Sequence, residues 1–440
     1  MDEVKFPEKS VLKGVTDFSV ELLKNKLDVH DNGVISPVSL MAVLAMAMRG
    51  AKENTLREMA AAIGADADAL GGYLERFFDS EAAFEPVRTQ ETENKPVRHK
   101  FNLPKPAASA IADMIRSLGE NNINLMPHRK ASNTEPLDVP NPLKFANSVW
   151  VKEDAKVDFN KDFFDICAES DYAELFKAPF NDETCSRINK WVSEHTDNEI
   201  QKIVDSFKED DILYLINALL FDAKWAERYD KDNISDHVFK NYDDSLVLAE
   251  FMKGNEEKFL RDADATGFIK GYQGGRYEFI ALLPNRGIEL SEYVSGLTGD
   301  RLLKIIDHYE DHPVETLMPK FEVQYSIDFK PVLQKMGILD AFDKFRADFT
   351  GIGKATEPEH NICIGDIKQI SKIKVDENGT KAVAVTSASM NCMVLCMPPI
   401  PYRVYLDRPF LYVIFDKITR MPVFMGMVNS MPKNKKQALL

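Results

Sequence analysis

The sequence predicts one domain of mixed α+β class spanning residues 1–440, and three observations predict it. Helical periodicity dominates the first half of the chain and strand patterns the second. No repeat and no clear linker separates the halves, so nothing marks a domain boundary. Hydrophobic residues make up 44% of the chain and charged residues 28%, the composition of a globular protein able to bury a large core.

The elements follow in chain order. Val15, Phe18, Val20, Leu22 and Leu23 recur at roughly helical spacing within 13–27, and Asp31-Asn32-Gly33 then turns the chain. Ser36 caps a helix with Pro37 at its first position. The run Leu40 to Met48 is apolar on every side and therefore buried, and Gly50 ends it. Another helix opens at Asn54-Thr55. Residues 83–105 are polar, contain three prolines and read as an exposed insertion. A helix from about Ala107 to Leu118 and a second polar insertion, 127–142, come next. Lys144 to Val151 has a strand pattern, and Cys185 to Val204 reads as an amphipathic helix. Ile212 to Trp225 opens with a nearly continuous apolar run, as in a strand covered on both faces. Asn217 inside that run needs partners, as part of a hydrogen-bonded knot or of a switch element. Strands between Phe259 and Pro284 are joined by Gly271 to Gly275. Leu317 to Val323 is another strand, and 407–432 holds the last two.

A net charge of −15 and a pI of about 5.2 argue against a nucleic-acid surface. No stretch approaches the length of apolar residues that spans a membrane, and residues 1–12 put acidic side chains where a signal peptide carries positive charge. The 5 cysteines are odd in number and scattered, which favours a reducing compartment over a disulfide framework. A cytoplasmic location is expected. An extracellular one follows if a leader was removed or secretion is unconventional.

Val375 to Pro401 is the stretch the chain is organised around. After Gly379, Thr380, Ala382, Ala384, Thr386 and Ala388 share one alternating register, and Lys381, Val383, Val385, Ser387 and Ser389 share the other. The first register is small enough to be buried under a sheet, and the only charge, Lys381, falls on the opposite face. No proline interrupts Glu359 to Met397, whereas Pro398, Pro399 and Pro401 stop a ladder there. Gly379, behind Asp376, Glu377 and Asn378, offers a free backbone on which the segment can pivot. Taken alone, the stretch also reads as an exposed linker.

Its surroundings change that reading. The chain resembles the serpin family over nearly its whole length, through I-S-P-V-S-L from Ile35, R-G-A-K-E-N-T from Arg49, I-N-K-W-V from Ile188 and N-A-L-L-F-D-A-K-W from Asn217. The match continues with P-K-F from Pro319, G-I-L-D-A-F and A-D-F-T-G-I after Gly337, E-N-G-T-K-A from Glu377, R-P-F-L-Y-V-I from Arg408 and P-V-F-M-G-M-V from Pro422. The resemblance implies about eight or nine helices packed on three β-sheets, with a hinge and exposed reactive-centre loop at 376–402. It also implies a mechanism, in which a protease acylated at the scissile residue is trapped as the freed loop inserts into the main sheet. The hinge would comprise Glu377, Asn378, Gly379, Thr380, Lys381, Ala382, Val383, Ala384 and Val385. Asn378 and Lys381 stand where the family more often has acidic residues, and Val383 and Val385 where it has alanines.

Family spacing counted from Gly379 puts the reactive bond at Met393-Val394, and counting back from Pro409-Phe410 puts it near Cys396-Met397. With no Lys or Arg between Ala382 and Tyr402, a chymotrypsin- or elastase-like serine protease is the expected partner, and a cysteine protease is the cross-class alternative. Ser36, Ser39, Asn217 and Gln369 match the family's shutter, with Gln369 where a histidine is usual, and Trp225 matches its breach. Gln369 can hydrogen-bond Asn217 but cannot titrate. Plain core packing is the other account of these five residues.

The remaining motifs point away from catalysis. His308 and His312 stand four apart, but the order is not H-E-x-x-H and Pro313 follows, so no metal is expected. Cys392 and Cys396 contribute to bait specificity or oxidation sensitivity. There is no G-x-S-x-G, phosphate loop or dinucleotide fingerprint, so no enzyme and no cofactor is expected. The expected state is a monomer that binds a target protease, with no nucleic acid and no membrane. The leading alternative is a serpin fold that serves as carrier, store or chaperone. Asn378-Gly-Thr380 and Asn233-Ile-Ser235 are glycosylation sequons, and a glycan in the hinge would obstruct insertion.

Overall fold

A computed structural model describes residues 9–26, 30–82, 142–153, 157–163, 174–208, 211–356, 361–380 and 399–432. The polar insertions up to 141, the helix near 107–118, and the positions Lys381, Ala382, Val383, Ala384, Val385, Met393, Val394, Cys396 and Met397 lie outside the described residues. The described residues belong to one unit, formed by Met1–Ala83 together with Asn141–Leu440.

The first half is helical, as its periodicity requires. It comprises α1 (Lys9–Lys26), the short β1 (Gly33–Ile35), α2 (Pro37–Gly50), α3 (Glu53–Ile63) and α4 (Ala67–Ala82). Ser36 caps α2 through its Oγ, which accepts Ser39 N, and every residue of that helix except Arg49 is buried. Then come β2 (Leu143–Lys152), β3 (Val157–Phe159) and β4 (Glu174–Ala178), followed by α5 (Asp182–His195). This helix differs from the expected 185–204. Asn181 accepts Thr184 N and starts it three residues earlier, and left-handed backbone at Asp197 and Asn198 stops it before Val204.

The strand-rich half begins with β5 (Leu213–Phe221), β6 (Ala223–Lys224), β7 (Ile234–Lys240), β8 (Leu246–Arg261), β9 (Ala265–Gly271) and β10 (Tyr277–Pro284). Two short helices follow, α6 (Leu290–Ser295) and α7 (Gly299–Asp307), then β11 (Glu310–Pro319), β12 (Phe321–Asp328) and α8 (Lys330–Lys335). The chain ends with β13 (Gly353–Ala355), β14 (Ile364–Val375), β15 (Gly379–Thr380), β16 (Tyr402–Tyr405), β17 (Phe410–Asp416) and β18 (Met421–Val428). The single strand expected over Leu317 to Val323 is two strands in different sheets. Lys320 lies between them: its amide still bonds Glu250 O on β8, and from Phe321 the chain pairs with β14 instead.

The central sheet has the order β4-β2-β5-β14, with β12 beyond β14 and with β15 wedged between β14 and β6. All of β5 is buried, which explains its unbroken apolar run. Leu213, Leu215, Leu219 and Phe221 face the main core, while Tyr214, Ile216 and Ala218 pack with Ile188 and Val192 of α5. The second sheet runs β1-β18-β17-β10-β9-β8-β11-β16, with β7 on β8, and β3 pairs with β13 in a third.

Candidate functional site

Three buried amides lie in a row across the central sheet. Asn147 on β2 stands opposite Asn217 on β5, which stands opposite Gln369 on β14. Gln369 Nε2 donates to Asn217 Oδ1 at 2.6 Å and to Ser36 O at 2.9 Å, and its Oε1 accepts from Ser36 N at 2.8 Å and Ser371 Oγ at 3.2 Å. Asn217 Nδ2 donates to Asn147 Oδ1 at 3.2 Å, which also accepts from Ser39 Oγ at 2.6 Å. Ser36 Oγ donates to Val423 O at 2.9 Å and ties the row to β18. Buried amides without such partners would each cost a desolvation penalty, so the row locks α2, β2, β5, β14 and β18 at one point. Parting β5 from β14 breaks the Asn217–Gln369 bond directly.

Toward their other end β5 and β14 diverge. Their parallel pairing stops at Lys372↔Leu220, and β15 occupies the fork through Val375↔Thr380, Gly379↔Lys224 and Thr380↔Ala223. Gly379 and Thr380 are thus already inside the sheet, where the resemblance implies a hinge leading into an exposed loop. Gly379 also differs from its expected role as a free pivot. A Cβ there would stand 2.1 Å from Ala223 O, so glycine is required by close approach of two backbones. Thr380 is fully buried, with Oγ1 2.7 Å from Tyr272 OH.

Trp225 closes the top of the fork. Its ring stacks on Tyr272 at 4.5 Å and 17°, its Nε1 donates to Asp376 O at 2.9 Å, and its amide donates to Asn378 O at 3.0 Å. Tyr229 N donates to Glu377 O at 3.1 Å, and the Asn378 amide bonds Asp376 Oδ1 at 2.8 Å. The Glu377 carboxylate pairs with Lys320 at 2.8 Å. Burial works to raise its pKa, but the Lys320 hydrogen bond, a backbone amide and the Lys320 and Lys231 charges outweigh burial and hold it below the usual value. Beneath Trp225, Lys270 pairs with Glu256 at 2.7 Å. Burial pushes the Glu256 carboxyl up, and Lys270 opposes it. The turn from β14 into the fork is therefore held on every backbone carbonyl from Asp376 to Asn378.

The far end of the 381–401 stretch is tied to the second sheet. Ile400 is 88% exposed, and β16 then pairs in parallel with β11 from Val314↔Tyr402 to Leu317↔Tyr405. Glu315 gathers the Tyr405 hydroxyl, Lys253 at 3.0 Å and Arg403 at 3.7 Å. His312 stacks on Tyr402 at 4.0 Å. His308 caps α7 while His312 lies in β11, so the pair does not share a helix face.

The structure brings Ser36, Ser39, Asn217 and Gln369 into one network and sets Trp225 beside Glu377, Asn378, Gly379 and Thr380. Reasoning on the sequence missed Asn147, Ser371, Tyr272 and Lys320. Asn147 was findable, as a polar residue inside K-F-A-N-S-V-W-V. Tyr272 carries no such signal, because its role depends on contact with residues remote in sequence.

Comparison with known proteins places the chain in a family. The family model described as Serpin (serine protease inhibitor) matches residues 13–431. Serpin B6 of Macaca fascicularis is 26% identical over 94% of this chain and 97% of that protein. The crystal structure of tengpin, a thermophilic serpin, in its native state is 31% identical, with a TM-score of 0.76 over 96% of this chain and 95% of that one. The latent state of tengpin gives 0.71 at 29% identity, over 97% and 99%. The chain belongs to the serpin family and has its α+β fold.

Proposed function

We propose that this chain is a suicide-substrate inhibitor that traps a chymotrypsin- or elastase-like serine protease as a covalent acyl complex when its severed loop enters the central sheet. One observation carries the reading, the Val375↔Thr380 pair in the fork. Continued in that register, Ala382 comes opposite Ile373, Ala384 opposite Ser371, Thr386 opposite Gln369 and Ala388 opposite Ile367, all four of them buried on β14. Lys381, Val383 and Val385 come opposite Lys374, Lys372 and Ile370, on the other face. Directly opposed residues share a face, so the small register is the one that turns inward. A strand antiparallel to both β5 and β14 can stand between these parallel neighbours and pair with each.

Insertion of about fourteen residues would carry the acylated end ~46 Å at strand rise. Roughly ten to twenty added ladder bonds at ~1 kcal/mol net each would drive it. The reactive bond is proposed at Met393-Val394, with Cys396-Met397 as the alternative site. In this reading the hinge is Glu377 to Val385, the amide row with Ser36 and Ser39 is the shutter, and Trp225 is the breach. The partner is the protease itself, met by a monomer in the cytoplasm, where the Asn378 sequon stays unmodified.

The test is incubation with a panel of serine and cysteine proteases, followed by a denaturing gel. A stable band heavier than the inhibitor is expected with chymotrypsin- or elastase-like enzymes. Cleavage without such a band would reject trapping and leave the carrier, storage or chaperone role.

A further inference from the structure

We infer that Tyr272 is a positioning residue for loop entry, whose hydroxyl seats Thr380 in the fork and so fixes the register in which the rest of the hinge follows. This role deepens the inhibitory reading, on which its consequence depends, while the seat itself stands on geometry. The Tyr272 ring is held by the stack on Trp225 and an edge contact with Phe221 at 4.9 Å, and its backbone by the bond from its amide to Tyr277 O at 3.1 Å. Its hydroxyl is therefore aimed at one point in the fork, 2.7 Å from Thr380 Oγ1.

That point accepts one register. Slipping the hinge by one residue would bring either Gly379, with no hydroxyl, or Lys381, with a charge, against a fully buried phenol. The same slip would turn Ala382, Ala384 and Thr386 outward and Val383 and Val385 inward. A hydroxyl pair worth ~1 kcal/mol thus selects the register in which the whole inserted strand fits.

The experiment compares wild type with Tyr272→Phe, Thr380→Val, the double variant and Thr380→Ser. Tyr272→Phe keeps the stack on Trp225, Thr380→Val keeps the shape, and Thr380→Ser restores a hydroxyl. Two readouts are taken. One is amide exchange at Thr380 in the intact chain, and the other is the rate at which a chain nicked in its loop by elastase becomes heat-stable. Each single loss should raise exchange about fivefold and slow heat-stabilisation by a similar factor, with the double variant no worse than either and Ser close to wild type. Exchange unchanged by Tyr272→Phe, additive losses in the double variant, or faster exchange with an unaltered conversion rate would each overturn the role. A nicked wild type that never becomes heat-stable would instead defeat the inhibitory reading and with it the insertion half of this role, while the exchange readout still decides the seat.

Discussion

Replacing Gln369 by Leu removes the centre of the buried amide row while keeping comparable volume. Four hydrogen bonds go, two donated by Nε2 and two accepted by Oε1. Ser36 O keeps a bond from Leu40 N at 3.3 Å, but Ser36 N, Asn217 Oδ1 and Ser371 Oγ lose the partner that Gln369 supplied. At ~1–3 kcal/mol for a buried group left unpaired, with partial relaxation among neighbours, the expected cost is ~3–5 kcal/mol. That is a large part of the ~5–15 kcal/mol typical of a folded domain. In a chain this long, each kcal/mol moves Tm by ~1–2 °C, so the intact protein should melt ~3–10 °C lower in calorimetry. Amide exchange across β5 and β14 should quicken as well, because the bond that joins them side chain to side chain is gone. A variant that melts within about a degree of wild type, with unchanged exchange, would show that the row does not hold the sheet closed.

Thr380→Arg puts a charge into the seat beside Tyr272; in the protease panel the heavier band should vanish while cleavage of the loop persists, and survival of the band would refute insertion through the fork. Arg276 and Asp416 form a bidentate pair at 2.9 and 3.0 Å that is almost wholly buried, so Arg276→Met, which leaves the carboxylate uncompensated, should cost ~3–5 kcal/mol in denaturant unfolding. The Tyr405 hydroxyl and Lys253 hold the Glu315 carboxyl below its usual pKa. A depressed carboxylate contributes stability that is present above its unfolded value of 4.5 and is lost as pH falls through the folded value, so β16 should loosen only in acid below 4.5. Exchange at Arg403 to Tyr405 should report that loosening, and Glu315→Gln should make it independent of pH in this range.

Much of this molecule was legible in the chain because the signals are local. The cap at Ser36, the apolar run Leu40 to Met48 in α2, the buried run of β5 and the alternation after Gly379 depend on residues within a few positions of each other. The break at Lys320 was not legible, because L-M-P-K-F-E-V suits a strand at every position and only the separation of two sheets divides it. The end of α5 went the same way, since its apolar spacing continues to Val204 although the backbone turns left-handed at Asp197 and Asn198.

By itself, then, the sequence determined which residues are polar inside apolar strands and which face of the 380–388 register is small, since both are matters of residue type and spacing. Tertiary structure decided who meets whom. Asn147, Asn217 and Gln369 form a row only because β2, β5 and β14 lie side by side in matching register. Thr380 lies buried before any cut is made only because β5 and β14 diverge and leave a fork closed by Tyr272 and Trp225. Such pairings bring together positions up to hundreds of residues apart, and no local pattern encodes the distance between them.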